Sequence, residues 1–430
     1  MPPGENVKGA VQPVAGSSGG IESLPDGVLQ HILGFLPSPE AVRTCVLAQR
    51  WRHLWKAAPC LRVGCDLDQS ESVEELRSLV NHLLLLRGGS PLEACYFTFY
   101  AGRRSHDDVS HVNLWFRHVV QMCKVRVLTL FMFLLGEPWL ELDNLPVISQ
   151  HLRSLKLIGV QVHNSLLNFS SCPALEHLEL SCCELPPSVK EIVSESLKHI
   201  IVIASMCGWD SRIRIYTPNL VSLHLENFQG RTPILERMPS LLKASVEITI
   251  QCRDRCTNAN YFWTCDNSGS TANGSINCVL LRGISEAKSL ALRSASNMFI
   301  FKRDLRWGPM FTNLKTLLLN GYWYVPDDFH ALARILERSP VLKKLTFEFC
   351  NKWCHKVEMK LCVSSMKRSA AISEHLEIVE IKCEVVDDRV LKVMKFLCAF
   401  NICKLTCSAP LAFIFLKFTV MSICMKESIA

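Results

Sequence analysis

Between Leu24 and Trp55 the apolar residues recur at helical spacing. Val28, Leu29, Ile32, Leu33 and Leu36 stand at i, i+1, i+4, i+5 and i+8, which predicts a helix with one broad apolar stripe. Pro25 fits its first turn, where a missing N–H costs nothing, and Pro37 and Pro39 end it. Ser38 and Glu40 open a second helix, with Ala41, Val42, Cys45 and Val46 on its apolar side. A third helical piece, Arg50 to Trp55, points Trp51, Leu54 and Trp55 one way. Three helices in roughly forty residues cannot bury their own apolar faces. The segment is therefore expected to complete its core against another protein, or else to cap a larger helical domain.

Beyond it the pattern changes. Cys60 to Val63 reads as extended, and Glu71 to Leu86 as a helix stopped by Arg87-Gly88-Gly89. Then a template, apolar-x-x-apolar-x-apolar, repeats ten times. It begins at Val125, Leu152, Leu175, Leu197 and Leu220, degenerates at Leu242, and resumes at Ala287, Leu314, Leu342 and Leu376. The early spacing of 22 to 23 residues, lengthening to 27 and 28, is that of leucine-rich repeats. The last two apolar positions of each copy flank a polar one, as in a short strand buried on one face. No unit buries its leucines alone, so neighbours are expected to stack into a solenoid with a parallel sheet on the concave side. His106 to Cys123 and Pro326 to Arg338 are expected to be convex helices. Pro173, Pro218, Pro239 and Pro340, just before strands, are expected to set an extended entry. The 45 residues from Leu242 to Ala287 hold a polar run, 251–276, read as an exposed loop or a degenerate repeat.

Two stretches carry a family resemblance. Leu24-Pro25-Asp26, Leu29, Ile32, Leu33, Phe35-Leu36-Pro37, Val42-Arg43-Thr44, Val46-Leu47 and Arg50-Trp51…Leu54-Trp55 resemble the F-box of plant F-box/leucine-rich-repeat proteins. The chain departs from that pattern at Ala48-Gln49, where the family usually has Ser-Lys. Leu376 to Lys382 and Asp387 to Leu397 resemble the strand and helix of the plant FBD module, but Asn401 to Ala430 does not match its last strand. The resemblance implies an α/β fold: a three-helix F-box, a leucine-rich-repeat solenoid with convex helices, and a partial FBD-like end. The expected divisions are a flexible tail 1–19, the F-box 20–60, the solenoid 61–370, the FBD-like module 371–400 and a divergent apolar tail 401–430.

Composition narrows the chemistry. Hydrophobic residues at 49% and charged ones at 20% describe a folded chain with a large interior. The 21 cysteines follow no disulfide framework, and Met1 to Gly20 has no apolar leader core, so reduced thiols and a cytoplasmic or nuclear setting are expected. Cys172, Cys182, Cys183, Cys350 and Cys383 lie beside strand patterns and are expected to serve as small core groups. Cys252, Cys256 and Cys265, and Cys354-His355, fall short of zinc-ligand spacing, so no metal and no cofactor is expected. Pro410 to Cys424 is apolar but short for a membrane span. The net charge of +7 is concentrated near Arg334 to Arg368. His151, His177, His199 and His224 recur in or beside repeat strands, at the surface. No phosphate loop, nucleophile elbow or His-Glu-x-x-His motif is present, so no catalytic residue is nominated.

The resemblance implies a non-catalytic receptor subunit of a ubiquitin ligase, docked on a Skp-type adaptor and through it on a cullin–RING ligase. The expected adaptor-binding surface and supporting core comprise Leu24, Pro25, Val28, Leu29, Ile32, Leu33, Leu36, Val46, Leu47, Trp51, Leu54 and Trp55. The solenoid would capture a target protein, and neither nucleic acid nor a membrane is the expected partner. The competing expectation is a ligase-independent repeat scaffold that binds an acidic protein or nucleic acid through the basic 334–368 region.

Overall fold

A computed structural model of the chain describes residues 20–66, 73–101, 106–134, 139–208, 211–254, 278–295, 298, 300–324, 330–349, 374–383, 390–391, 393 and 405–408. The expected 1–19 tail, the thiols of Cys256, Cys265 and Cys350, Cys354-His355, and most of the 251–276 run and the apolar tail lie outside them.

The chain opens with helix α1 (Asp26–Leu33) and helix α2 (Ser38–Arg43). Two 3-10 segments follow, Thr44–Val46 and Gln49–Ala57. The prolines sit at the helix starts and not where expected: α1 ends at Leu33, before Pro37, and Pro39 lies in the first turn of α2. Pro25 and Pro37 take extended backbone angles immediately before α1 and α2, where a residue need not donate an N–H. The second apolar face is shorter than expected, because α2 gives way to the 3-10 turn at Thr44, whose hydroxyl donates to the Ala41 carbonyl at 2.7 Å.

Thirteen strands then form one parallel sheet in chain order. All ten template copies supply a strand: Val127–Leu134, Ser154–Ile158, His177–Ser181, His199–Ile203, Ser222–Glu226, Lys243–Ile248, Ser289–Ser294, Thr316–Asn320, Lys344–Phe349 and Ile378–Cys383. Cys60–Asp66 and Ala94–Ala101 precede them, and Leu405–Ser408 extends the sheet beyond them. That last strand lies where the sequence showed no matching pattern. The template leucines are the buried residues, and the residues between them face outward in an alternating burial pattern.

Repeat length decides what closes the back of each unit. Strands begin 34 and 33 residues apart from Cys60 to Ala94 to Val127, and these units carry α3 (Val73–Arg87) and α4 (His106–Gln121). The 22- to 23-residue units between 154 and 226 have no room for a helix of that length. They are closed by two small parallel sheets of two- and three-residue strands, from Leu140–Glu141 to Met206–Cys207 and from Glu191–Val193 to Ile234–Leu235. Helices return as α5 (Ile300–Trp307) and α6 (His330–Glu337) once the repeats lengthen.

The prolines before the strands do something tighter than the extended entry expected of them. In Cys172-Pro173-Ala174-Leu175 the Leu175 N–H donates to the Cys172 carbonyl at 3.1 Å, a β-turn with proline at its second position. The same turn occurs at Pro218, Pro239 and Pro340. In two units without the proline a serine hydroxyl substitutes: Ser149 and Ser194 accept from the N–H groups of Leu152 and Leu197 at 3.1 and 3.2 Å, whereas Ala287 and Leu314 keep the backbone turn, donating to Ile284 and Phe311.

Across the long step between Leu242 and Ala287, Lys243 pairs directly with Ser289 and Ile248 with Ser294, so these two strands are neighbours in the sheet. Residues 255–277 lie outside the described residues, and the choice between a loop and a degenerate repeat lies there with them. Asp304 anchors the return. Its fully buried carboxylate accepts the N–H groups of Val279, Leu280 and Leu281 through Oδ2 at 3.0, 2.6 and 3.0 Å. Cys172, Cys183 and Cys383 are buried as expected, whereas Cys182 is exposed, on a residue with φ of 50° in the turn after its strand.

Candidate docking face and capture surface

The residues nominated at the amino-terminal end separate into two sets. Leu29, Leu33, Trp51, Leu54 and Trp55 are buried inside the chain, and Leu24, Ile32 and Leu36 are half-buried against the same core. The Gln49–Ala57 segment packs on α3, and α2 packs on the first strand. The expectation that this apolar flank stays unfinished until another protein covers it is therefore corrected: the solenoid's own first repeat closes it. The sequence could not show this, because α3 is contributed by residues beyond the segment.

Two arginines fix the junction, and a third closes the amino-terminal segment on itself. Arg87, itself buried, donates from Nη1 to the Trp55 carbonyl at 3.1 Å and from Nη2 to the Ala58 carbonyl at 2.8 Å. Burial lowers its pKa from the ordinary guanidinium value, and the neighbouring Cys123, Cys95 and Cys60 act in the opposite direction. Arg62 donates from Nε to the Gly34 carbonyl at 3.0 Å, while its backbone N–H reaches the Ser38 hydroxyl at 2.9 Å. Arg50 ties the entry, donating to Asp26 Oδ1 at 2.7 Å and to the Leu24 carbonyl.

What remains uncovered is apolar. Val28 is 43% exposed, Phe35 65%, Val46 83% and Leu47 66%. Val28 and His31 stand at i and i+3 on the outer side of α1, and Phe35, in the turn just past its end, continues the stripe, with the His31 and Phe35 rings edge to face at 5.1 Å. Pro25 is exposed at its start. Phe35 and Ile21, the latter 51% exposed, were not nominated from the sequence. The seven-residue interval between Val28 and Phe35 was the signal that would have found Phe35.

The second surface is the open face of the long sheet, on the concave side in a leucine-rich-repeat solenoid. Strand register lines its outward residues into rows. One row runs Phe131, Ile158, Ser181, Ile203 and Glu226, and continues with Glu247 beside Arg293 and Asn320 beside Glu348. His177 and His199 pair in register with rings stacked 4.5 Å apart, so the histidine periodicity marks this face. Burial, then His177, lowers the His199 pKa. His224 meets Glu226 at 2.9 Å, Lys156 meets Glu179 at 2.8 Å and Lys344 meets Glu380 at 2.9 Å.

No group of three or more His, Cys, Asp or Glu able to hold a metal, and no helix long and apolar enough to cross a membrane, occurs among the described residues. Cys252 lies beside the half-buried ion pair of Arg212 with Asp254. Burial, then the Asp254 charge, pushes its thiol up to about 12.

Comparison with known proteins bears on both surfaces. Residues 21–62 match the F-box domain model. The F-box/FBD/LRR-repeat protein At5g22700 of Arabidopsis thaliana is 26% identical over 413 residues, covering 87% of this chain and 89% of the relative. The F-box/LRR-repeat protein At3g58930 of the same plant is 27% identical over 378 residues, 76% of each chain. The FBD-associated F-box protein At5g60610 is 24% identical over 362 residues, 76% of this chain and 82% of the relative.

Proposed function

With an F-box domain at its head, a leucine-rich-repeat body behind it, and likeness to F-box/FBD/LRR-repeat proteins over most of its length, this chain, we propose, is a substrate-recognition subunit of an SCF-type ubiquitin ligase. Its F-box docks a Skp-type adaptor, and its sheet face holds a target protein in the cytoplasm or nucleus. The chain contributes proximity and no bond-making of its own, presenting the target to the ubiquitin-carrying enzyme of a cullin–RING assembly.

One observation carries this reading. The F-box spends its tryptophan flank on its own solenoid, yet keeps Val28, Phe35, Val46 and Leu47 in solvent on the remaining side. Exposed apolar groups concentrated in one small segment mark a protein contact. Pro25, Val28, Val46 and Leu47 are thus the direct adaptor contacts of the nominated set. Leu24, Ile32 and Leu36 border them, and Leu29, Leu33, Trp51, Leu54 and Trp55 hold the shape from beneath.

The scaffold alternative loses part of its support. Lys343 and Lys344 pair with Glu377 and Glu380, and Arg338 donates to the Gly308 carbonyl. Arg334 lies in α6, and Lys352, Lys356, Lys360, Lys367 and Arg368 lie outside the described positions.

Co-precipitation of a Skp-type adaptor by the full chain tests the proposal, with a V46D/L47D double variant as control. Recovery by the wild type and loss in the variant are expected. Equal recovery by both, or none by the wild type, would sink it.

A further inference from the structure

The open face of the sheet has a charge imbalance that its own residues offset only in part. Ile203 pairs with Glu226, and the register of the next two strands, Ser222 with Lys243 through Leu225 with Val246, carries Glu226 alongside Glu247. Adjacent strands lie about 4.8 Å apart, so two carboxylates face outward as near neighbours. Like charges directly opposite each other on a sheet are destabilising. Arg293, in register with Glu247, could have neutralised it. It reaches instead past Asn320 to Glu348, with Nε at 2.8 Å from that carboxylate, and turns Nη1 toward the Ser245 hydroxyl at 3.4 Å. Glu348 has Lys382 on its far side as well. Glu226 meets His224, and the Glu247 carboxylate forms no ion pair among the described residues. The acid is therefore concentrated at Glu226 and Glu247, whose neighbouring cation, Arg293, is committed to Glu348.

The same row has the opposite character toward the amino-terminal end. Phe131, Ile158 and Ile203 face outward in register, with Ile201 one row over. From Ile158 to Glu226 is three strand steps, about 14 Å, the span of four or five residues of extended chain.

We propose that this face captures its target through an extended segment whose hydrophobic side chains lie over Phe131, Ile158 and Ile203, and whose lysine or arginine enters between Glu226 and Glu247. Complementarity of charge chooses the occupant: the cation relieves a repulsion that the free protein carries, so its binding is favoured twice. An acidic segment or a nucleic-acid backbone meets the same carboxylates as a barrier. This inference rests on reading the sheet as the target-binding surface, and it supplies the chemistry of what is bound.

The test selects a random linear peptide library on the immobilised full chain. One enriched peptide is then measured by fluorescence anisotropy against the wild type, E226Q/E247Q and I203S. The expected consensus places Lys or Arg a few residues to one side of hydrophobic positions. Its affinity falls by about tenfold or more in E226Q/E247Q, falls with added salt in the wild type, and is weakened independently in I203S. A consensus without basic residues, no enrichment at all, or equal affinity for wild type and E226Q/E247Q would overturn the proposal. Adaptor co-precipitation from the same preparations reports the docking face separately, so failure at one surface is distinguishable from failure at the other.

Discussion

The guanidinium of Arg87, at the end of α3, holds the carbonyl of Trp55 at 3.1 Å, with the Ala58 carbonyl on its other arm at 2.8 Å. A single buried side chain from the first repeat thereby closes the last turn of the F-box and joins the two surfaces of the molecule in one frame. Arg87→Ala removes both donors, leaving the Ala58 carbonyl without its partner and the Trp55 carbonyl with only the Ala58 N–H. We expect a loss of about 3 kcal/mol in urea unfolding of the full chain. Arg87→Lys should recover only part of it, because an ammonium does not reproduce the two-armed fork.

The docking face and the core beneath it should respond oppositely. Val46→Asp and Leu47→Asp change residues 83% and 66% exposed, so the unfolding midpoint should hold while adaptor affinity falls by about tenfold or more. Leu29→Ala, in the interior, should cost about 2 to 5 kcal/mol of stability. Adaptor titration and thermal denaturation of the same variants separate the two effects. The helical spacing made the whole stripe legible but ranked its members equally. Which residues stay outside depends on where α3 and the first strand lie, and those come from other parts of the chain.

Asp304 offers a test of the inserted segment. Its carboxylate satisfies three consecutive backbone N–H groups at Val279 to Leu281. Asp304→Ala leaves those donors buried and bare, at an expected cost of about 3 kcal/mol or more. Hydrogen exchange should quicken at residues 279 to 281 before it changes in the early repeats. Exchange that stays uniform across the sheet would contradict this anchoring role.

Glu247 provides a pH signature. Burial, and after it the neighbouring Glu226 charge, raises its pKa above the ordinary carboxylate value, with Glu348 adding to the rise and Arg293 and His224 opposing it. A carboxyl that binds its proton more tightly in the folded chain penalises folding at pH values above its folded pKa. Glu247→Gln should therefore stabilise the protein by about 0.5 kcal/mol near neutrality. The advantage should shrink as pH falls through the raised value and vanish below the unfolded one. Chemical denaturation of both proteins at several pH values checks the sign.

Gly159 marks a place where a backbone carbonyl leaves no space for a side chain. It sits at φ of 69°, and a Cβ there would lie 1.8 Å from the Met132 carbonyl oxygen. Gly159→Ala should destabilise the chain by about 3 kcal/mol, combining a left-handed backbone with a steric clash. A variant that melts with the wild type would show that the strand end relaxes freely.

Hydrophobic spacing alone determined the repeat strands and the amino-terminal helices. The alternation of leucines specified ten strands buried on one side, because a strand that exposed them could not be stable, and the helical stripe specified the F-box helices. Repeat length likewise fixed where convex helices fit and where only short strands could close the back. Tertiary structure decided what touches what. The closing of the tryptophan flank by α3, the turn geometry at each proline, the added strand at Leu405–Ser408 and the apposition of Glu226 with Glu247 join residues that are distant in the chain or set by strand register. Periodicity says which side of an element is buried; only packing says against what, and which charges are left facing outward together.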